Sequence, residues 1–403
     1  MRGSNRPYLY PVDHLRAFAA VLVLLYHSTQ LVSQAIDPAL GWAPDRWLHS
    51  SNPAATLLFE GHTGVALFMV LSGFIFTIGT LGKDIAYGPF LRNRVLRIYP
   101  LYLVLLFVGL TAASQQFDLM LFLRALLPLS SFGPVAVGGV WGAMFWAVAV
   151  ELQFYLLFPF LLHLLNRHGP GALVRLVLAM VALRGLAWAL APETLDVNGM
   201  TYYSIVGRID QFLLGMLAGW VFVRRARPRS APLLLVGGSL AVLALLWVFN
   251  QLSGYSRPTW WRMVWVDAEG AAWAVVIVAL TWVVGSHAGR VSRAVAAVGE
   301  RSYSIYLLHF VLVSLVATHD ALWVRIGGPV TSALATGLVV VLPLTVLLSW
   351  LTYAAIERPF LRMRGTYVRD ARPAVAADPA PGPRSEPASD AAPVEPRAGV
   401  PGR

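Results

Sequence analysis

The sequence predicts an all-α integral membrane protein, a bundle of about ten transmembrane helices with both termini cytoplasmic. Three observations carry this. The chain of 403 residues is 57% hydrophobic and only 13% charged, against about 25% charged residues in a soluble domain. Its mean hydropathy is +0.64. Ten stretches approach the ~20 apolar residues that cross a bilayer as a helix, at 13–32, 57–81, 98–114, 141–165, 172–191, 203–223, 232–252, 267–286, 302–319 and 331–356.

The arginines orient these spans. With the N-terminus inside, the inner turns carry nineteen basic residues, among them Lys83, Arg92, Arg94, Arg97, Arg224, Arg225, Arg290, Arg293, Arg358 and Arg364. The outer turns carry five, at Arg46, Arg124, Arg257, Arg262 and Arg325. That asymmetry is the positive-inside pattern. It accounts for a net charge of +11 through inner-leaflet lipid, with no nucleic-acid partner. The first span has a basic flank and an apolar core but no evident small-residue cleavage site, so it is expected to be retained. A shorter apolar run near 119–129 reads as a half-buried or interfacial helix. Residues 1–365 form the membrane domain. Residues 366–403, rich in Pro and Ala with few large apolar side chains, read as a disordered cytoplasmic tail.

Ionisable groups inside spans are costly and mark function or buried ion pairs. They are Arg16, His27, Glu151, Arg184, Arg208, Asp210, Asp267, Glu269 and His309. Arg16 and His27 are eleven residues apart, three turns and ~20°, so they share one face about 16 Å apart along the axis. Asp13 lies one turn before Arg16. A cation near one mouth and an imidazole past the midplane suit a long ligand with an anionic head and a reactive tail, and histidine suits proton transfer near neutral pH. Glu151 and Tyr155 are neighbours at i,i+4. Glu151 needs a partner, for which an arginine or histidine of another helix is expected. On the ninth span Ser302 and His309 share a face, with Tyr306 one turn from His309; Tyr303 and Tyr306 also fit an aromatic belt. Ser72 and Gly73 sit in a small-residue segment of the second span, where glycine lets helices approach closely. Arg92, Arg94 and Arg97 suit phosphate binding, but the positive-inside rule also puts basic residues there, so alone they decide nothing.

Other chemistries lack their residues. There is no cysteine, so disulfides, thiolate metal sites and a cysteine nucleophile are excluded. There is no Gly-x-Ser-x-Gly elbow, no phosphate-binding Walker loop and no metal-ligand cluster.

In order along residues 10–360, several segments resemble those of the acyltransferase-3 family of multi-pass membrane O-acyltransferases. They are Asp13-x-Leu-Arg16 followed by His27, Gly64–Phe74, Phe90–Pro100, Trp146–Tyr155, Arg208-x-Asp210 with Gly215, Gly299–His309, and Tyr353–Phe360. Ala147 departs from the usual serine, and His14 and Ala17 from the usual glycines. The resemblance implies transfer of an acyl group, most often acetyl, from cytosolic acyl-CoA to a hydroxyl of a carbohydrate or similar acceptor. Acyl-CoA is then a co-substrate, with no tightly bound cofactor. His27, Arg16 and Glu151 would be catalytic, His27 as base or acyl carrier and Glu151 orienting or charge-balancing His27 or Arg16. Asp13, Arg92, Arg94, Arg97 and Tyr99 would bind the donor. Ser72, Tyr303, Tyr306 and His309 would line the substrate cavity. The expected location is the bacterial inner membrane. Two other classes also use intramembrane charges: a transporter or flippase, and a polyprenyl-phosphate glycosyltransferase with Asp37 or Asp45 as base.

Overall fold

The structure is a computed structural model describing residues 8–41, 46–112, 118–131, 139–257, 259–286 and 289–369, with Gly399 and Gly402. Asp45, the N-terminal arginines Arg2 and Arg6, and the tail beyond Arg369 (those two glycines apart) lie outside it. The helices are α1 (Tyr10–Ile36), α2 (Pro53–Phe59), α3 (Thr63–Thr80), α4 (Tyr87–Ala112), α5 (Leu119–Leu126), α6 (Phe145–His168), α7 (Pro170–Leu190), α8 (Ile205–Arg224), α9 (Ala231–Gln251), α10 (Arg262–Val284), α11 (Arg290–Glu300), α12 (Ser302–Ala317) and α13 (Pro329–Arg362). Nine of the helical segments among the described residues are long and apolar enough to cross a membrane. The shorter α12, with 16 residues, occupies the place of the remaining expected span.

Three expected spans come out differently. The span at 57–81 is broken into α2 and α3. The break carries Glu60 and His62, both buried. Glu60 accepts from Trp47 Nε1 (3.0 Å) and Asn250 Nδ2 (2.6 Å), and its second oxygen lies 3.0 Å from His62 Nε2. These bonds satisfy a buried carboxylate that a continuous helix would leave bare. The span at 98–114 begins eleven residues earlier, at Tyr87, because the basic start of α4 is helical although it is not apolar. The last span is longer than its apolar stretch and contains π turns at Gly337–Val341 and Tyr353–Glu357. The run near 119 forms the short α5, whose Leu119 and Met120 are exposed, as suits an interfacial segment.

Local signals set several helix starts. Asn52 caps α2 by accepting from Ala54 N, and Asp118 caps α5 through Leu121 N. Proline stands in the first turn of α1, α7 and α9, where a missing N–H costs nothing. α1 is central, packing against α3, α11, α12 and α13. Among the described residues the most extensive pairing is α3 on α8. A Cβ on Gly73 would collide with the Phe212 carbonyl, and one on Gly215 with the Val70 carbonyl. The two glycines thus let the backbones touch, the close approach that small residues permit in a bilayer.

The compact unit runs to Arg369, four residues past the expected boundary. Two-residue strands β1 (Asp84–Ile85) and β2 (Val368–Arg369) pair antiparallel. This pairing holds residues 366–369, read from the sequence as tail, against the start of α4.

Candidate active site

α1, α3, α4, α6 and α12 turn polar faces toward one another around a cavity of about 220 Å³. Along α3 the lining positions Val65, Phe68, Met69, Ser72, Ile75 and Phe76 keep to one face, a run of about 16 Å. The cavity is therefore a slot that follows the helix axes. At the arginine-rich end it is lined by Tyr8, Asp13, Arg16, Arg94, Arg97, Glu300 and Arg364. Farther in it is lined by Ala147, Glu151, Ser72 and Tyr306, while Tyr303 lies beside the arginines, its ring 5.7 Å from the Arg97 guanidinium. Eight of the twelve residues singled out from sequence thus meet in one place: Asp13, Arg16, Ser72, Arg94, Arg97, Glu151, Tyr303 and Tyr306.

The ionic partners differ from those expected. Arg16 pairs with Asp13 at 3.0 Å, and Asp13 also accepts from the Tyr8 hydroxyl. Burial, and then the bond to Asp13, push the Tyr8 hydroxyl well above the usual tyrosine range. Glu151 is held by the hydroxyls of Tyr155 and Ser72, the latter at 3.2 Å. It therefore does not balance Arg16 or His27; two neutral donors satisfy it instead. Arg97 pairs at 3.2 Å with Glu357 of α13, which also accepts from Ser304. Arg94 is only 6% exposed. Its guanidinium lies within 4.8–5.7 Å of the rings of Phe76, Phe90, Tyr155 and Tyr367, and its Nε has no hydrogen-bond partner.

Four predicted residues stand off the slot. Arg92 is exposed on the outer side of α4. Tyr99 donates to the Leu126 carbonyl at 3.1 Å and so braces α5. His27 and His309 form a buried pair, His309 Nε2 to His27 Nδ1 at 3.0 Å. The Tyr306 ring lies 5.7 Å from the His309 ring and forms the slot wall on that side. The Tyr306 hydroxyl is buried without a hydrogen-bond partner.

The backbone assigns the tautomers of the pair. His309 Nδ1 is 3.2 Å from the Ile305 carbonyl and His27 Nδ1 is 3.0 Å from the Val23 carbonyl. Carbonyls only accept, so both Nδ1 atoms carry hydrogen. His309 Nε2 then accepts from His27 Nδ1, and the basic lone pair of His27 is on Nε2. On its other side His27 lies 4.7 Å from the Tyr26 ring, which is 5.8 Å from His62. Rings thus continue from the slot wall to the Glu60–His62 break.

The other intramembrane charges pair among themselves. Arg184 bridges Asp210 and Asp267, 2.6 Å from each, and donates to the Met263 carbonyl. Arg208 donates to Gln211 at 3.0 Å and lies 4.0 Å from Glu269. These ties join α7, α8 and α10 and stand outside the slot. Asp37, the other candidate base in the first outer loop, accepts from the nearby Ala39 N.

Sequence reasoning missed Tyr8, Glu300, Glu357 and Arg364. Glu357 had a signal, as part of the Tyr353–Phe360 segment. Arg364 had none beyond its basic charge.

A membrane-spanning helical bundle enclosing a slot of guanidinium groups beside an imidazole pair defines a class, and comparison with known proteins says which. The family described as an acyltransferase domain matches residues 9–354, and the chain belongs to that family: it is a multi-pass membrane acyltransferase. Among curated proteins it is similar to nodulation protein 10 of Rhizobium leguminosarum bv. viciae, 26% identical over 88% of this chain and 94% of the relative. It is similar to the exopolysaccharide production protein ExoZ of Rhizobium meliloti, 26% identical over 75% of this chain and 90% of that one. It is also similar to the O-acetyltransferase OatA of Staphylococcus aureus, 23% identical over 89% of this chain but only 58% of OatA. No solved structure matches.

Proposed function

We propose that the protein moves an acyl group, acetyl by the name of its relative OatA, from cytosolic acyl-CoA to a hydroxyl of a carbohydrate. The name of ExoZ, an exopolysaccharide production protein, supports a carbohydrate acceptor. The observation that carries the reading is the slot, with guanidinium groups at one end and Tyr306 against the His309–His27 pair at the other. Arg94 and Arg97 receive donor phosphates, where charge-assisted bonds are strongest. The bias of basic residues supports a cytosolic position for that end, and the bacterial sources of the relatives support a bacterial inner membrane. The pantetheine arm runs along the face of α3 and α6. Ser72, Tyr303 and Tyr306 surround its thioester.

His27 is the general base. Its Nε2 takes the proton of the acceptor hydroxyl as the oxygen attacks the thioester carbonyl. The carbon–sulfur bond then breaks, and the same proton leaves with the thiolate. The imidazolium formed in between holds its Nδ1–H against the lone pair of His309. Tyr306 turns aside for the thioester to meet the imidazole, and no hydrogen bond holds its hydroxyl in place. The acceptor reaches His27 from the side of Tyr26 and His62.

The test is acetyl-CoA binding and slow thioester hydrolysis by the chain purified in detergent. His27→Ala should lower turnover by about 10²–10⁴ while binding holds. Arg94→Ala should weaken binding, and Arg92→Ala should not. Folded wild-type protein that binds no acyl-CoA refutes the reading and favours a transporter.

A further inference from the structure

Four guanidinium groups line the slot, and resident carboxylates account for two of them. Arg16 has Asp13, and Arg97 has Glu357. Arg94 and Arg364 have no ion pair within 4 Å among the described residues. Glu300 shares the mouth, where it accepts from Tyr8 at 3.4 Å, and Glu151 is taken up by Tyr155 and Ser72.

Arg364 reaches the slot because its segment is tied down. The Asn93 side chain donates to the Gly365 carbonyl at 2.6 Å and accepts from Gly365 N at 3.1 Å. Ala86 N donates to the Tyr367 carbonyl, and β2 pairs with β1. The Tyr367 ring packs on Phe90 at 5.3 Å and lies under the Arg94 guanidinium. Residues 363–369 thus form a strap along the start of α4, with one side chain, Arg364, turned into the cavity.

We propose that this strap is part of the donor site: Arg364, together with Arg94, binds a phosphate of the nucleotide portion of acyl-CoA, and Asn93 is the positioning residue that holds Arg364 there. The proposal rests on the acyl-CoA reading and adds a donor-selecting residue to it. The local field agrees. Burial, and then the charges of Arg97 and Arg94, push Arg364 down to about 10, so the cations crowd one another as they would around an anion's place. Arg94, buried without a carboxylate, is costly unless an anion joins it, and Arg364 stands half-buried in the same cavity. An anionic lipid headgroup offers the same chemistry, so the test separates the two.

The experiment uses the full chain in detergent and in phosphatidylglycerol nanodiscs. Binding of acetyl-CoA, 3′-dephospho-acetyl-CoA and acetyl-pantetheine is measured for wild type, Arg364→Gln, Asn93→Ala and the double variant. Arg364→Gln should weaken acetyl-CoA tenfold or more and leave acetyl-pantetheine unchanged. Asn93→Ala should show the same selectivity at smaller size, and the double variant should be no worse than Arg364→Gln. A loss that falls equally on acetyl-CoA and acetyl-pantetheine means a structural role and overturns the proposal. So does Arg364→Gln binding acetyl-CoA like wild type. Loss of phosphatidylglycerol binding alone assigns the arginines to lipid and overturns it too. Wild type that binds no acyl-CoA refutes the functional reading itself, and the proposal falls with it. Wild-type binding that Arg364→Gln leaves intact refutes the proposal alone.

Discussion

Replacing His309 by alanine tests the imidazole pair. In the resting protein His27 Nδ1–H has two acceptors, His309 Nε2 and the Val23 carbonyl, each at 3.0 Å. Alanine removes one and leaves the other. A neutral bond of this kind contributes about 0.5–1.5 kcal/mol, and one to a charged group about 1.5–3. The ring is neutral at rest and cationic once it has taken the acceptor proton. The difference falls on the barrier, about 1–2 kcal/mol, or roughly five- to thirtyfold in kcat. The donor KM should stay, because His309 is outside the slot. His309→Gln, with an amide oxygen to accept the same bond, should recover most of the loss. The assay is CoA release read by a thiol reagent. The chain has no cysteine, so the protein itself gives no background. A His309→Ala enzyme of wild-type kcat, or one that loses affinity for the donor instead, would refute the reasoning.

Two more predictions concern the bundle. Arg184→Met leaves the buried Asp210 and the half-buried Asp267 without their cation and should destabilise by about 3–5 kcal/mol, seen as a lower thermal midpoint and poor yield. Adding Asp210→Asn and Asp267→Asn should restore most of it; a triple variant as unstable as the single one would mean that packing, not charge, is lost. Gly73→Leu should prevent α3 from closing on α8 and abolish accumulation in the membrane. Gly79→Ala, which meets nothing within 4 Å, should be silent, and equal behaviour of the two would refute the close-approach argument.

The spans were legible because apolar length and the cost of unpaired backbone in lipid leave a helix little alternative. The slot residues were largely legible too. Helical spacing shows which side chains share a face, and Asp13 and Arg16 pair as that spacing allows. What periodicity leaves open is the neighbour each face meets. The partner of Arg97 lies 260 residues away at Glu357, and Glu151 was expected to face a cation where hydroxyls of α3 and its own helix serve it. Arg92 was grouped with Arg94 and Arg97 by proximity in sequence. Two residues before Arg94 is about 200° around the helix, which puts Arg92 on the opposite side. The break at Glu60–His62 escaped because its satisfying groups, Trp47 and Asn250, come from a loop and a distant helix. Arg364 escaped because a strap held by one asparagine and two backbone pairs leaves no pattern in composition.

The two π turns of α13 let that helix hold extra residues without losing its phase. Each π turn holds one residue more than the α turn it replaces, and so absorbs the ~100° by which an extra α residue would rotate everything beyond it. The turn at Tyr353–Glu357 is thus a phase correction at the point where Glu357 comes round to Ser304 and Arg97. Deleting a single residue ahead of Glu357 in it would leave an α turn there, in a helix still apolar and still long enough to span. An α turn rotates and rises about as far as the π turn with one residue more, so Glu357 and the strap would keep their places. In this segment a one-residue gap is absorbed as it is in a loop, and aligned chains that differ by one residue here should turn the same groups toward the slot.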